Sequence, residues 1–302
     1  MSKYHVPVML QECIDALAIK PDGVYVDVTF GGGGHSREIL KHLSERGRLL
    51  AFDQDADAQQ NIPKDDRLTF IDQNFRYLKN NCRLHAAPTV DGILADLGVS
   101  SHQFDQPERG FSTRFDADLD MRMDRSQELT AEKIINSYSE DDLHRIFGIY
   151  GEIKNAKTLA KTIVSARLNS SIKTSAELKE AIIHLIPKKK ENKYLAQVFQ
   201  ALRIEVNQEL EALQEFLMQA ATILKVGGRL VVMSYHSLED RLVKNFIAKG
   251  KFSGEVEKDF YGNEIKPLQA VTRKAVTASE EEIKQNSRAR SAKLRVAEKT
   301  AV

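Results

Sequence analysis

Cysteine is nearly absent. Cys13 and Cys82 are the only two in 302 residues and stand far apart without Cys/His ligand spacing, so neither a disulfide framework nor a zinc site is expected. Both are expected to be ordinary reduced thiols. No run of eighteen apolar residues occurs and the start, MSKYHVPVMLQE, has no signal-peptide core; a cytoplasmic chain that neither spans a membrane nor is secreted is expected. A charge excess is missing too. The 44 Lys and Arg stand against 43 Asp and Glu, and the net charge of +1 makes no global case for a nucleic-acid partner. Repeats and low-complexity segments are not evident. With 42% hydrophobic content the chain can bury one large core and a smaller satellite domain.

What is present begins at Val24-Tyr25-Val26-Asp27-Val28-Thr29-Phe30, a β-branched run that enters Gly31-Gly32-Gly33-Gly34 and continues with helical spacing at Ile39, Leu40 and Leu43. The pattern predicts strand, glycine turn, helix. Glycine permits positive φ and close approach of backbone N–H groups to a nucleoside-like ligand. A dinucleotide fingerprint would need a glycine where Ser36 stands, and no Gly-Lys-Ser/Thr follows for a P-loop. A cofactor with a ribose and a base but no pyrophosphate, such as S-adenosylmethionine, suits such a turn.

Three more strands follow. Arg48-Leu49-Leu50-Ala51-Phe52 ends at Asp53, twenty positions after Gly33, where a Rossmann-like domain places the carboxylate for ribose hydroxyls. Asp55 and Asp57 read as a solvated loop with a helix cap. The run Leu68-Thr69-Phe70-Ile71 leads to Phe75, either a flat surface for an adenine ring or core packing beside Leu78. The fourth, Val90 to Ala95, ends at Asp96. Asp27, Asp53 and Asp96 thus fall at equivalent strand ends, where open parallel sheets bind ligands.

From about Pro107 to Tyr194 helical spacing replaces β-branched runs, as at Ile134, Ile135, Leu143, Ile146, Phe147, Leu159, Ile163 and Ala166. The expected division is a Rossmann-like domain over 1–106 and 195–302 and an inserted helical domain over 107–194 for substrate selection. Thr130, Ser139 and Thr174 open capping-like sequences. Asp116, Asp118 and Asp120 alternate like a calcium loop, but Met121 stands at the turn glycine and Gln127 at the twelfth position, so no metal is expected and pairing with Arg114, Arg122 and Arg125 is. Beyond the insertion, Leu202, Val206, Leu210, Leu213, Leu217, Ala220 and Leu224 predict one apolar helical stripe ended by Gly227-Gly228. A buried strand over 230–234 and a helix capped from Ser237 come next. In SYHSLED the Ser, His and Asp are too close in sequence for a hydrolase triad, so His236 is assigned to a pocket lining or a structural hydrogen bond. Basic residues cluster at Lys188, Lys189, Lys190 and Lys193, and from Lys266 to Lys299, where nine oppose four acidic ones.

The segments DVTFGGGGHS (27–36), FDQD (52–55), NFRYL (74–78), DGILADLGVSS (91–101), ERGFS (108–112), LDMRMD (119–124), FQALRIEVNQEL (199–210), GGRLVVMSYHSLEDRLVK (227–244) and SRARSAKLR (287–295) resemble those of the RsmH/MraW family, in order along nearly the whole chain. The resemblance implies a class I methyltransferase sheet and transfer of a methyl group from S-adenosylmethionine to the exocyclic N4 amine of a cytidine in the decoding region of small-subunit ribosomal RNA. It implies an assembled or nearly assembled small subunit as partner, admits a homodimer, and carries the cofactor contacts onto Gly33, Gly34, His35, Asp53, Phe75, Asp96 and Gln103. Two departures are visible: Gly32, where relatives can have a basic residue, and His102, where some have proline; local loosening is expected at each.

An exocyclic cytosine amine is a poor nucleophile, and a hydrogen-bond acceptor on it favours exposure of its lone pair. Asp96 is the expected catalytic residue, although Asp-Leu-Gly-Val replaces the Asn/Asp/Ser-Pro-Pro-aromatic element common in amino methyltransferases. The cytidine must leave its stack, and Phe104, Phe111 and Tyr235 are the candidate platforms. A noncatalytic ribosome-assembly module and a nicotinamide-dependent oxidoreductase are the alternatives from other classes.

Overall fold

The computed structural model describes residues 7–301, so the first six residues of the start read above for a leader lie outside the described residues. The chain divides into two compact units: one holds the described residues up to Gly98 and everything from Leu210 onward, the other Val99–Glu209.

The first unit is built on β1 (Val24–Asp27), β2 (Arg48–Asp53), β3 (Leu68–Asp72), β4 (Val90–Asp96) and β5 (Leu224–Ser234), with a small hairpin of β6 (Glu257–Lys258) and β7 (Glu264–Ile265), then β8 (Leu268–Ala270) and β9 (Lys293–Lys299). The main sheet has the order β3-β2-β1-β4-β5-β9-β8. Strands β1 to β5 are mutually parallel, while β9 runs antiparallel to both β5 and β8. This is the Rossmann-like, mainly parallel α/β sheet expected from the sequence. Its order reverses between β1 and β4, which opens a crevice at their carboxyl ends.

Both faces of the sheet are covered, and the alternation of side chains along each strand decides what each face receives. Val26, Leu50, Ile93 and Val232 enter one core, with Phe216, Val243 and Phe246. Tyr25, Leu49, Leu94 and Val231 enter the other, with Cys13, Ile14, Leu17, Ile39 and Leu40. The helices supplying these layers are α1 (Leu10–Leu17), α2 (Gly34–His42) and α3 (Leu78–Leu84), and later α10 (Glu209–Ile223) and α11 (Ser237–Lys249). Cys13 and Cys82 are buried, free, and have thiols pushed up by burial, Cys82 to about 12.

The second unit is helical: α4 (Ser101–Asp105), α5 (Ala131–Ser137), α6 (Glu140–Ile149), α7 (Ala156–Arg167), α8 (Ser175–Ile182) and α9 (Glu191–Asn207). Thr130, Ser139 and Thr174 accept the backbone N–H groups of Lys133, Asp142 and Glu177, as their capping sequences predict. This unit is wider than the 107–194 segment marked by composition, because α9 packs on α5 and α6.

Two expectations are corrected here. The stripe from Leu202 to Leu224 is not one helix: Gln208 takes φ 49 and separates α9 from α10, and Leu224 already begins β5. Gly227-Gly228 therefore sits inside a strand, at an irregular stretch of the β4–β5 ladder, where a Cβ on Gly228 would stand 2.9 Å from the Asp91 carbonyl. The apolar spacing in the sequence runs on across the one-residue break, which is why periodicity alone misses it.

The break is fixed by Asn207. Its Oδ1 accepts Met123 N–H at 2.7 Å, and its Nδ2 donates to Met121 O at 2.8 Å and Arg203 O at 2.9 Å. The buried Arg109 donates to the carbonyls of Arg122 and Met123, and Met121 is held at φ 60. Asn207→Ala strands buried polar groups of that loop and is expected to destabilise the protein by about 2–4 kcal/mol, read as a lower urea midpoint at unchanged slope. The acids of this loop do not act as one set. Asp120 pairs with Arg122 at 2.7 Å, but Asp116 accepts Ala176 N–H at 3.0 Å, and Arg114 lies over the Phe104 ring.

Candidate active site

The glycine turn is anchored from both sides. Asp27, at the end of β1, is 1% exposed and accepts Ser36 Oγ at 2.7 Å and Thr29 N–H at 3.1 Å; burial raises its pKa. The Ser36 bond ties the strand end to the start of α2 and the Thr29 bond holds the turn between them, so this acid is structural. Thr29 Oγ1 continues the connection by accepting the N–H of Asp96 at 2.7 Å. Gly33 has φ 72 and Gly31 φ 50, and the Gly33 N–H donates to Phe30 O at 2.7 Å. A Cβ on Gly33 would stand 2.7 Å from the Phe30 ring and one on Gly34 2.1 Å from that of Pro7, so the protein itself requires both glycines. Arg37 donates to the Gly32 carbonyl at 2.7 Å and Asn61 to that of Gly31 at 3.1 Å. The turn is therefore braced at Gly32, where loosening was expected.

Asp53 ends β2 and is partly buried. Its Oδ2 accepts Gly31 N–H at 2.7 Å and its Oδ1 accepts Asp55 N–H at 2.9 Å. Each carboxylate oxygen retains capacity for a second donor. Burial pushes this acid up to about 6 despite those two bonds. A partly buried carboxylate with open acceptor sites fits ribose hydroxyls, which would favour its charged form.

Asp96 ends β4. Its Oδ1 accepts the Tyr235 hydroxyl at 2.7 Å, and its Oδ2 lies 3.9 Å from His35 Nδ1. Burial is the main reason this carboxyl is also raised to about 6, with His35 and Tyr235 opposing. His35 is 5% exposed; its Nε2 is 3.2 Å from Val8 O, a partner that can only accept, so Nε2 carries a proton. Asp27 pairs in register with Ala51 on one side and Leu94 on the other, so Asp53 and Asp96 each extend two residues beyond it on the strands flanking β1. At ~4.8 Å per strand their backbones are roughly 10 Å apart.

Phe75 follows β3 on a short turn, partly buried, its ring edge-on to Phe216 with centroids 5.5 Å apart. The turn is locked onto α10: Arg76 pairs with Glu215 at 2.6 Å, and Gln219 donates to Arg76 O at 2.6 Å. Asn74 Nδ2 donates to Gln54 Oε1 at 2.7 Å, which joins the ends of β2 and β3. The structure thus brings together Gly33, Gly34, His35, Asp53, Phe75 and Asp96 in the first unit. Gln103 belongs to the second. It is 4% exposed on α4, where its N–H donates to Ser100 Oγ and its Oε1 accepts Ser100 N–H, so the position after His102 is capped and ordered.

Three partners were not foreseen. Thr29 and Ser36 are small polar residues whose role appears only once β1, β4 and α2 meet. Tyr235 was a candidate platform, yet its hydroxyl is bound to Asp96. His236, and not Ser237, caps α11: Glu239 N–H donates to His236 Nδ1 at 3.4 Å, while Glu239 Oε2 accepts the N–H of both Tyr235 and His236.

A family model described as the MraW methylase family matches residues 2–300. The ribosomal RNA small subunit methyltransferase H of Flavobacterium johnsoniae is 60% identical over 297 residues, 98% of each chain. The protein of the same description from Cytophaga hutchinsonii is 60% identical over 299 residues, 98% of this chain and 99% of that one. Among solved structures, an rRNA methylase from Streptococcus thermophilus aligns over 98% of this chain and 99% of its own, at 12% identity and a TM-score of 0.43.

Proposed function

Because the chain belongs to the MraW methylase family and is, like its relatives, an S-adenosylmethionine-dependent methyltransferase of ribosomal RNA, we propose that it methylates the exocyclic N4 amine of a cytidine in the decoding region of the small-subunit RNA. The observation that carries this reading is the pair of partly buried carboxylates, Asp53 and Asp96, each held near 6 at strand ends flanking the glycine turn. The residues of the first unit fit the cofactor: Asp53 would take ribose hydroxyls, Phe75 the base, and the turn at Gly33, Gly34 and His35 the remainder. When bound, S-adenosylmethionine supplies an electrophilic methyl group on a sulfonium.

The chain's own contribution is to hold and polarise the nucleophile. Asp96, as a carboxylate, accepts a hydrogen bond from the amine and so counters delocalisation of the nitrogen lone pair into the ring while the N–C bond forms and the S–C bond breaks; fixed placement supplies much of the remaining advantage. The Val99–Glu209 unit selects the substrate in this reading. An assembled or nearly assembled small subunit is the partner, which locates the chain in the cytoplasm, and a homodimer is compatible with it. Among the described residues no helix is long and apolar enough to cross a membrane.

Basic residues supply the RNA track. Leu294 on β9 is level with Met233, which is level with Asp96, and Val276 bridges to Leu294 from the far side. The exposed Arg273, Lys274, Arg290 and Lys293 therefore follow the sheet rim outward from Asp96. Lys188, Lys189, Lys190 and Lys193 are exposed on the second unit.

The test is transfer of radiolabelled methyl to small subunits from a strain lacking the activity, with mass mapping of the product nucleoside. Label on a cytidine N4 is expected; no label above an Asp53→Ala control would refute the function. In the same assay Arg273→Ala/Lys274→Ala should flatten the dependence of log kcat/KM on log salt by roughly 1.5, about 0.7–0.9 for each phosphate no longer neutralised. An unchanged slope would remove this rim from the RNA path.

A further inference from the structure

Asp96 is gripped at its backbone and at one side-chain oxygen. Its N–H donates to Thr29 Oγ1 and its Oδ1 accepts the Tyr235 hydroxyl, both at 2.7 Å. The tyrosine is itself fixed. Its N–H donates to Glu239 Oε2 at 2.9 Å, its ring packs on the core that contains Met233 and Leu294, and Gly98, at φ 93, lies beside the ring. Glu239 is 3% exposed and closes the cap of α11, so the hydroxyl is carried by a rigid element. Burial and the neighbouring Asp96 push the phenol well above its ordinary range, which keeps it a proton donor at any working pH.

The other oxygen has a different neighbour. His35 Nδ1 is 3.9 Å from Asp96 Oδ2, beyond hydrogen-bond length, and the His35 Nε2 proton is committed to Val8 O. Oδ1 is thus engaged and Oδ2 keeps its acceptor capacity.

We propose that Tyr235 is a positioning residue for methyl transfer: its hydroxyl occupies Asp96 Oδ1 and presents Oδ2 to the substrate amine. This rests on the role given to Asp96 above. The hydroxyl also biases the carboxyl toward its charged form, the one able to accept a hydrogen bond from the amine. The titratable groups facing Asp96 are His35 at the start of α2, Asp27 on β1, Cys13 on α1, Glu239 on α11 and Tyr235 itself. Of these, His35 and Tyr235 favour the carboxylate, whereas Asp27 and Glu239 oppose it. Removing the hydroxyl leaves His35 alone against burial and two acids.

The experiment compares pH profiles of kcat/KM for wild type, Tyr235→Phe and protein carrying 3-fluorotyrosine at 235. The phenylalanine variant is expected to lose activity most at low pH, its acid limb moving up by roughly one pH unit. Fluorotyrosine, a stronger donor, should move the limb down. Cofactor affinity should stay near wild type, the fall in Tm should be confined to pH values above the limb, where the hydroxyl stabilises the carboxylate, and Tyr235→Phe should add no further loss to Asp96→Asn. A purely structural tyrosine would lower Tm, leave the limb in place and add its loss to that of Asp96→Asn; that pattern overturns the proposal. Should Tyr235→Phe fail to fold, the fluorotyrosine shift decides alone, and its absence overturns the proposal. Wild-type protein that binds the cofactor yet methylates nothing would instead defeat the function on which this inference rests.

Discussion

Asp96→Asn is expected to lower kcat for methyl transfer by about two to four orders of magnitude at saturating cofactor, the range typical of a lost proton acceptor in a transition state. The amide is nearly isosteric with the carboxyl and can still meet the Tyr235 hydroxyl, so the loss reports charge and acceptor strength more than shape. Wild-type kcat/KM should rise with pH through a midpoint of about 6, the value to which burial lifts Asp96, and level off above it. The direction follows from the chemistry: below that midpoint the carboxyl is protonated and cannot accept. The corresponding midpoint in kcat should lie lower, because the positive charge of the bound sulfonium favours the carboxylate. Asp96→Asn should lose the limb in kcat, while kcat/KM for the cofactor keeps the titration of Asp53. Rapid-quench measurement of a single turnover isolates the step, and a variant within threefold of wild type would exclude Asp96 from the chemistry.

Asp53→Asn separates binding from stability. Hydroxyl hydrogen bonds to a charged acceptor are worth about 1.5–3 kcal/mol each, so removing one of them should raise the cofactor Kd roughly 10- to 100-fold by calorimetry. Unliganded stability should move differently. The folded-state pKa of Asp53 is about 6, above its ordinary value of 3.8. Between those values the folded state binds the extra proton, so its contribution is fully present below the lower value and is lost as pH rises through about 6. Asp53→Asn removes that penalty while keeping an oxygen that can accept one of the N–H groups of Gly31 and Asp55. Its urea midpoint at pH 8 is expected to be no lower than that of wild type, and its stability should vary less between pH 5 and 8. Cofactor affinity of wild type should fall as pH drops through the same midpoint. An unchanged Kd would remove Asp53 from the site.

The features legible beforehand were those carried by short stretches. Strands buried on both faces read as continuous apolar runs, the glycine turn showed in four consecutive residues, and Asp27, Asp53 and Asp96 marked strand ends because an acid closes each run. The caps at Thr130, Ser139 and Thr174 were legible for the same reason. The division at Gln208 was not, since the apolar spacing of the sequence continues unbroken across the left-handed residue. Nor was the cap of α11: His is an uncommon N-cap, and Ser237 next to it offered the more usual chemistry.

Local propensity, side-chain alternation and ordered motifs were enough to specify the sheet, the helical insertion and the family, because none of them needs knowledge of distant contacts. The work of the three acids emerged from contacts made in the folded chain. Burial raises all three, but Asp27, closed in by Ser36 and Thr29, became a structural brace, while Asp53 and Asp96 kept open oxygens. The pairing of Asp96 with Tyr235 joins positions 139 residues apart. Burial and hydrogen-bond partners depend on strands that meet only after folding, so three acids alike in sequence end with different partners and different work.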